Sequence, residues 1–156
     1  DVPLLILAGD ADRTIEYPAG ARAIFEQATA SHRYLLTFKG CGHSIGLNPA
    51  PESMRFRLWD QDWFEDPVWS KDRINAISAH FITAFLDRYV KDDSSRDAYL
   101  NVSAPDASSG VWPSPTSSPY DAYSSGTNGV TVWRGFQRNH AAGLELLEEK
   151  AAPRGN

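Results

Sequence analysis

The chain has 156 residues, 42% of them hydrophobic, which suits one domain with a packed core and excludes disorder throughout. Its formal net charge is -5 and its 15 Lys and Arg residues are scattered, so no basic footprint for DNA or RNA is present. No run reaches the length of a membrane-spanning helix, and the single cysteine, Cys41, excludes an internal disulfide.

Residues 2–8, from Val2 to Ala8, form a short apolar run ending at Gly9, as expected of a strand buried on both faces of a parallel sheet. An Asp-rich turn follows. After Pro18, residues 19–30 carry Ala21, Ala23, Ile24, Phe25 and Ala28 at helical spacing, and residues 33–38 predict a second strand closed by Lys39-Gly40-Cys41-Gly42. Strand, helix and strand in this order are the unit of a parallel sheet.

From Leu47 to Ser70, Pro49, Pro51 and Pro67 interrupt any pattern, so an irregular excursion is expected. Residues 71–90 give the clearest helix, with Ile74, Ile77, Phe81, Phe85 and Tyr89 along one face. Residues 103–129 are rich in Ser, Pro, Gly and Thr and predict a long surface loop. A last strand over Val130–Phe136 and a short helix from about Asn139 to Ala151 are expected to close the chain. The fold class is thus α/β, with residues 1–102 and 130–156 in one domain. The chain opens abruptly, with Asp1 and a strand almost at once, which is expected of the C-terminal piece of a longer fold.

Acyl transfer by a serine needs a base for the hydroxyl proton and a carboxylate that orients this base. In an open parallel sheet such groups sit on the turns at the carboxyl ends of strands. Two candidates stand there. Asp12 follows the first strand in Gly9-Asp10-Ala11-Asp12, and His43 follows the second in Gly40-Cys41-Gly42-His43.

The segment Val2-Pro3-Leu4-Leu5-Ile6-Leu7-Ala8-Gly9-Asp10-Ala11-Asp12 resembles the α/β-hydrolase stretch in which a Pro-led apolar strand ends in Gly-x-x-Asp, and Gly42-His43 resembles that family's histidine turn. Trp69, Ala84-Phe85-Leu86-Asp87, Tyr99-Leu100 and Trp133-Arg134-Gly135-Phe136 are similar to bacterial dienelactone-hydrolase-like members. The resemblance implies the C-terminal part of an α/β-hydrolase fold, its last parallel strands and covering helices. It implies Asp12 as the triad acid and His43 as the base of a carboxylic-ester hydrolase, with neither metal nor organic cofactor. The nucleophilic serine and the oxyanion-hole amides are then expected outside this sequence, on a companion chain or an N-terminal part of the same fold.

Other assignments compete. Gly42-His43-Ser44-Ile45-Gly46 spells a Gly-x-Ser-x-Gly elbow with Ser44 as nucleophile, its histidine then being His80 or His140, but Leu47-Asn48-Pro49-Ala50-Pro51 would break the helix that must follow. Asp10 competes with Asp12 for the acid role, and either fits a turn residue bonded to its own backbone. Cys41, two residues from His43, is expected to pack the turn rather than attack substrate. His80 is expected to be partly buried and hydrogen-bonded, with His32 and His140 exposed. Asp60, Asp62, Glu65 and Asp66 lack a calcium-loop pattern and are expected to be a solvated loop. Trp59, Trp63, Phe64 and Trp69 fit either a substrate pocket or packing of the excursion.

Two function classes follow. One is a serine-dependent hydrolase of esters or related acyl compounds, completed by the rest of its own fold. The other is a non-catalytic binding or structural module derived from one. Both expect association with itself or a companion chain, because an apolar edge strand needs a neighbour. Neither involves nucleic acid or a membrane, and the expected chain is soluble with its compartment open.

Overall fold

The computed structural model describes residues 2–55, 63–102, 104–112 and 133–153. Its centre is a three-stranded sheet in the order β1-β2-β3, with β1 at Leu4–Gly9, β2 at Arg33–Phe38 and β3 at Leu144–Glu149. β1 and β2 run parallel, from Leu4 opposite Arg33 to Gly9 opposite Phe38. β3 runs antiparallel to β2, from Phe38 opposite Leu144 to Arg33 opposite Glu149. The sheet is therefore mixed.

β2 is buried at every position, as its central place demands. Tyr34, Leu36 and Phe38 face one layer, and Leu35 faces the other with Ala8 and Phe25. That alternation lets one six-residue strand anchor two cores.

The first connection is shorter as a helix than its sequence predicts. A π-helical turn at Pro18–Arg22 leads into helix α1 at Ala23–Gln27. Ala28 then leaves the helical region with ψ 46°, and the buried Arg33 Nε donates to the carbonyl of Phe25, satisfying a group the helix end leaves open. Phe25 closes the smaller core below β1 and β2.

Helix α2, Lys71–Tyr89, covers the opposite face of the sheet. Ser70 caps it by accepting the N–H of Arg73, Asp72 lies in its first turn and Arg88 in its last, which suits the helix dipole. Ile74, Ile77, Phe81 and Ala84 form its buried stripe. Burying each of the three larger side chains stabilises the fold by about 1.5–3 kcal/mol.

Two expectations about the C-terminal part are corrected. Val130–Phe136 is not a strand where it can be seen: residues 130–132 lie outside the described residues, and Trp133 to Phe136 form a turn in which the Phe136 N–H meets the Trp133 carbonyl at 2.9 Å. This turn inserts two aromatic rings into the core beside Phe81. The helix expected over 139–151 is a single turn, α4 at Arg138–Ala141, after the similarly short α3 at Asp97–Leu100. Gly143, at φ 84°, then redirects the chain into β3, and Trp69 packs so close that a β-carbon there would lie 2.9 Å from its ring. Leu and Glu favour helices, but β2 is buried between two layers and needs a second hydrogen-bonding neighbour. Long-range pairing overrides the local preference. Leu144 and Leu146 point into the larger core, while Leu147 packs on the smaller one.

Of the loop expected over 103–129, residues 104–112 are described and include a short 3-10 turn at Ala107–Ser109, while 103 and 113–132 lie outside the described residues. Of the excursion, 56–62 lie outside them, Trp59, Asp60 and Asp62 included. No helix among the described residues is long and apolar enough to cross a membrane.

Candidate active site

The turns after β1 and β2 are pressed together. A β-carbon on Gly9 would sit 2.2 Å from the Cys41 carbonyl oxygen, so only a bare glycine lets β1 end against the Cys41-Gly42 backbone. The Ala11 N–H donates to that same carbonyl at 3.0 Å, and Asp10 accepts the N–H of Gly40 through its carboxylate. Asp10 therefore ties the two turns to each other and is spent on backbone.

Asp12 faces the histidine. Its Oδ2 lies 2.9 Å from His43 Nδ1, and its Oδ1 accepts the N–H groups of Thr14 at 2.8 Å and Ile15 at 3.0 Å. Burial raises the Asp12 carboxyl pKa, but the Ile15 N–H, the His43 ring and the Thr14 N–H outweigh burial and hold it below the ordinary carboxylate value. An ionised Asp12 only accepts, so the bond puts a proton on His43 Nδ1 and leaves Nε2 as the basic nitrogen of the neutral ring. The Asp12 side chain is 11% exposed and the His43 side chain 39%. The carboxylate is covered and the imidazole is open.

A cleft of about 230 Å³ adjoins His43, walled by Thr14, Ser44, Trp63, Glu65 and Pro67. Trp63 is 68% exposed there, whereas Trp69 is buried in the core under β2. Trp63 thus borders the cleft and Trp69 packs in the core.

Ser44 occupies a one-turn 3-10 helix, His43–Gly46, that does not continue as an α-helix. Its hydroxyl is buried and has no hydrogen-bond partner among the described residues. The Gly-x-Ser-x-Gly string here is a single 3-10 turn, not a strand-to-helix elbow. Cys41 is buried, and burial, then the neighbouring Asp66 carboxylate, pushes its thiol up to about 12. It is a packing residue at neutral pH.

Asp66 corrects the expectation of a solvated acidic loop. Its Oδ2 accepts the Gly42 N–H at 2.7 Å, and its Oδ1 accepts the N–H groups of Val68 at 2.9 Å and Trp69 at 2.8 Å. Burial raises its pKa, and these donors more than offset that, so it remains below the ordinary carboxylate value. The sequence did carry a signal for half of this role, since an Asp followed by Pro and two further residues is a common side-chain-to-backbone turn. Nothing local pointed to Gly42.

Two of the other histidines, His32 and His80, depart from expectation. His32 is half-buried, with Nε2 2.8 Å from Glu148 and Nδ1 2.8 Å from the Tyr89 hydroxyl, which in turn meets the Tyr34 hydroxyl at 3.0 Å. This chain lies at the opposite end of the strands from His43. His140 is exposed, as expected. His80 packs among Phe81, Tyr99 and Phe136, and its Nε2 is buried without a partner among the described residues, so the expected hydrogen bond is replaced by an aromatic cage. Burial holds its pKa below the ordinary histidine value.

These shifts fix a pH dependence. The unfolded chain protonates a histidine near pH 6.5 while the caged His80 resists, so the stability that His80 contributes falls as pH drops below about 6.5. The depressed carboxyls of Asp12 and Asp66 add stability that is present above about pH 3.9 and lost as pH falls through their lower folded values. Urea unfolding measured from pH 8 to 3 should therefore show two declines. In His80→Phe the decline that begins near pH 6.5 should shrink and the acid one remain; an unchanged profile would refute the cage.

Among the described residues, no three His, Cys, Asp or Glu side chains converge as a metal site. No family model, curated protein or solved structure matches the chain. The fold is α/β with a mixed three-stranded sheet, and its most pointed chemical feature is the Asp12–His43 pair.

Proposed function

We propose that this chain supplies the acid and the general base of a serine-dependent hydrolase of esters or related acyl compounds, as the C-terminal part of an α/β-hydrolase fold resembling dienelactone-hydrolase-like members. The observation that carries the reading is the 2.9 Å bond between His43 Nδ1 and Asp12 Oδ2, made by residues on the turns that follow two adjacent parallel strands. A second support is β1 itself. Leu4, Leu5, Ile6 and Leu7 are half-buried, and β1 pairs only with β2 among the described residues, so its other edge suits the further strands that such a fold would add.

In this reading His43 Nε2 takes the proton of a serine hydroxyl borne by those further strands as the hydroxyl oxygen bonds to the substrate carbonyl carbon. Asp12 holds the ring and stabilises the imidazolium. The proton then passes from Nε2 to the departing alcohol oxygen as the acyl–oxygen bond breaks. Water repeats the sequence to free the acid and restore the serine. The partners are a small ester or acyl substrate and the remainder of the fold.

Fluorophosphonate labelling of the protein with its companion chain or preceding segment, read by peptide mass spectrometry, tests this. Label is expected on a serine of the added part and to depend on His43. Label on Ser44 would instead make the 42–46 turn a nucleophile site, and a complete assembly that takes no label anywhere would favour the binding-module reading.

A further inference from the structure

The turn that carries His43 is held by charged side chains distant in sequence. On one side of His43, Asp66 accepts the Gly42 N–H at 2.7 Å; on the other, Lys71 Nζ donates to the Ser44 carbonyl oxygen. Lys71 is 5% exposed, so its ammonium is committed to the interior rather than to solvent. Asp66 is fixed in turn by the Val68 and Trp69 N–H groups, and Lys71 is the first residue of α2.

This matters because the turn has little stiffness of its own. A single 3-10 turn has poor hydrogen-bond geometry, and His43 lies at its start with a part-exposed ring anchored, among the described residues, by the bond to Asp12. Where the ring points therefore depends on where the peptide groups of residues 42–44 are kept. Hydrogen bonds to charged partners are the stronger kind, and both of these act on the main chain within one residue of His43.

Resting on the acid-and-base reading of Asp12 and His43, we infer that Asp66 and Lys71 are positioning residues that fix the 42–44 peptide groups and so aim His43 at Asp12. Neither touches a reacting atom. Asp66 belongs to the segment that walls the cleft through Trp63, Glu65 and Pro67, so the same stretch shapes the cleft and seats the base.

The test needs no nucleophile. The Nδ1–H proton signal of His43 and the hydrogen exchange of the Gly42 and Leu47 amides are measured by NMR in the wild-type protein, Asp66→Asn, Lys71→Met and the remote control Asp97→Asn, which loses the Arg88–Asp97 ion pair. Asp66→Asn should speed exchange at Gly42, whose N–H it accepts, and Lys71→Met exchange at Leu47, whose N–H shares the Ser44 carbonyl with Lys71, each by roughly tenfold or more and each weakening the Nδ1–H signal, while Asp97→Asn leaves all three unchanged. Rates and signal at wild-type values in the folded variants overturn the inference, and should one variant not fold, the other decides. The wild-type protein gives a further reading: a Gly42 amide exchanging at the rate of an unstructured peptide also overturns it. Absence of the Nδ1–H signal from wild type would count against the Asp12–His43 pairing itself, while the amide rates still judge the clamp.

Discussion

Gly9→Ala should cost about 3 kcal/mol and separate the two turns that carry Asp12 and His43. The added methyl would meet the Cys41 carbonyl oxygen at 2.2 Å, its carbon at 2.7 Å and the Gly42 oxygen at 2.9 Å, all of them backbone. No side-chain rotation relieves such a contact, so either β1 slides or the histidine turn lifts. Both movements lengthen the Asp12–His43 bond. Urea unfolding together with the His43 Nδ1–H signal reads both effects. Gly46→Ala is the matched control, because nothing lies within 4 Å of its β-carbon and its cost should stay within about 0.5 kcal/mol. A Gly9→Ala protein as stable as wild type, with the signal intact, would mean that the turns are not in contact.

Trp133→Ala should be the most destabilising single change to a side chain, by about 3–5 kcal/mol, or roughly 6–20 °C in melting temperature. Trp133 is 0% exposed, lies edge-on to Phe81 and Phe136 with ring centroids 6.1 and 6.2 Å away, and donates its indole N–H to the Ala104 carbonyl at 2.9 Å. Truncation leaves a cavity and strands that carbonyl without its donor. Against a typical total stability of about 5–15 kcal/mol, such a loss removes a large share of the folded population's margin. Trp133→Phe should cost less, since it keeps most of the ring volume. Equal, small losses in both variants would place this turn outside the core.

The elements legible in the sequence are those whose causes are local. β1 and β2 are short apolar runs and α2 carries an apolar stripe at helical spacing, and Gly9, Gly40 and Ser70 punctuate them. The Asp12–His43 pair was legible for a related reason, since a parallel strand-helix-strand unit brings its two carboxyl-end turns together whatever lies between them. β3 was not legible. Its Leu and Glu content favours a helix, and the strand that recruits it lies more than a hundred residues earlier, with His32 and Glu148 separated by 116 positions. The clue was Gly143, which ends the helical turn before Leu144. Trp133 and Phe136 look like strand residues because aromatics favour strands, yet here they are wedges on a turn. Lys71 and the Gly42 half of Asp66's role were opaque because their partners are peptide groups, which leave no mark on the identity of the residues they belong to.

That last point bears on how such a site could vary between sequences. A turn gripped through its N–H and C=O groups is indifferent to most of the side chains it displays. Even Gly42 has room for a methyl, its nearest neighbour being Asp66 Oδ2 at an ordinary 3.5 Å. Apart from Gly40 at φ 74° and the buried Cys41 and Ser44, the letters around His43 are thus weakly constrained, while much of the constraint is carried by Asp10, Asp66 and Lys71, scattered over more than sixty positions. Two chains could share this geometry and have almost no contiguous text in common.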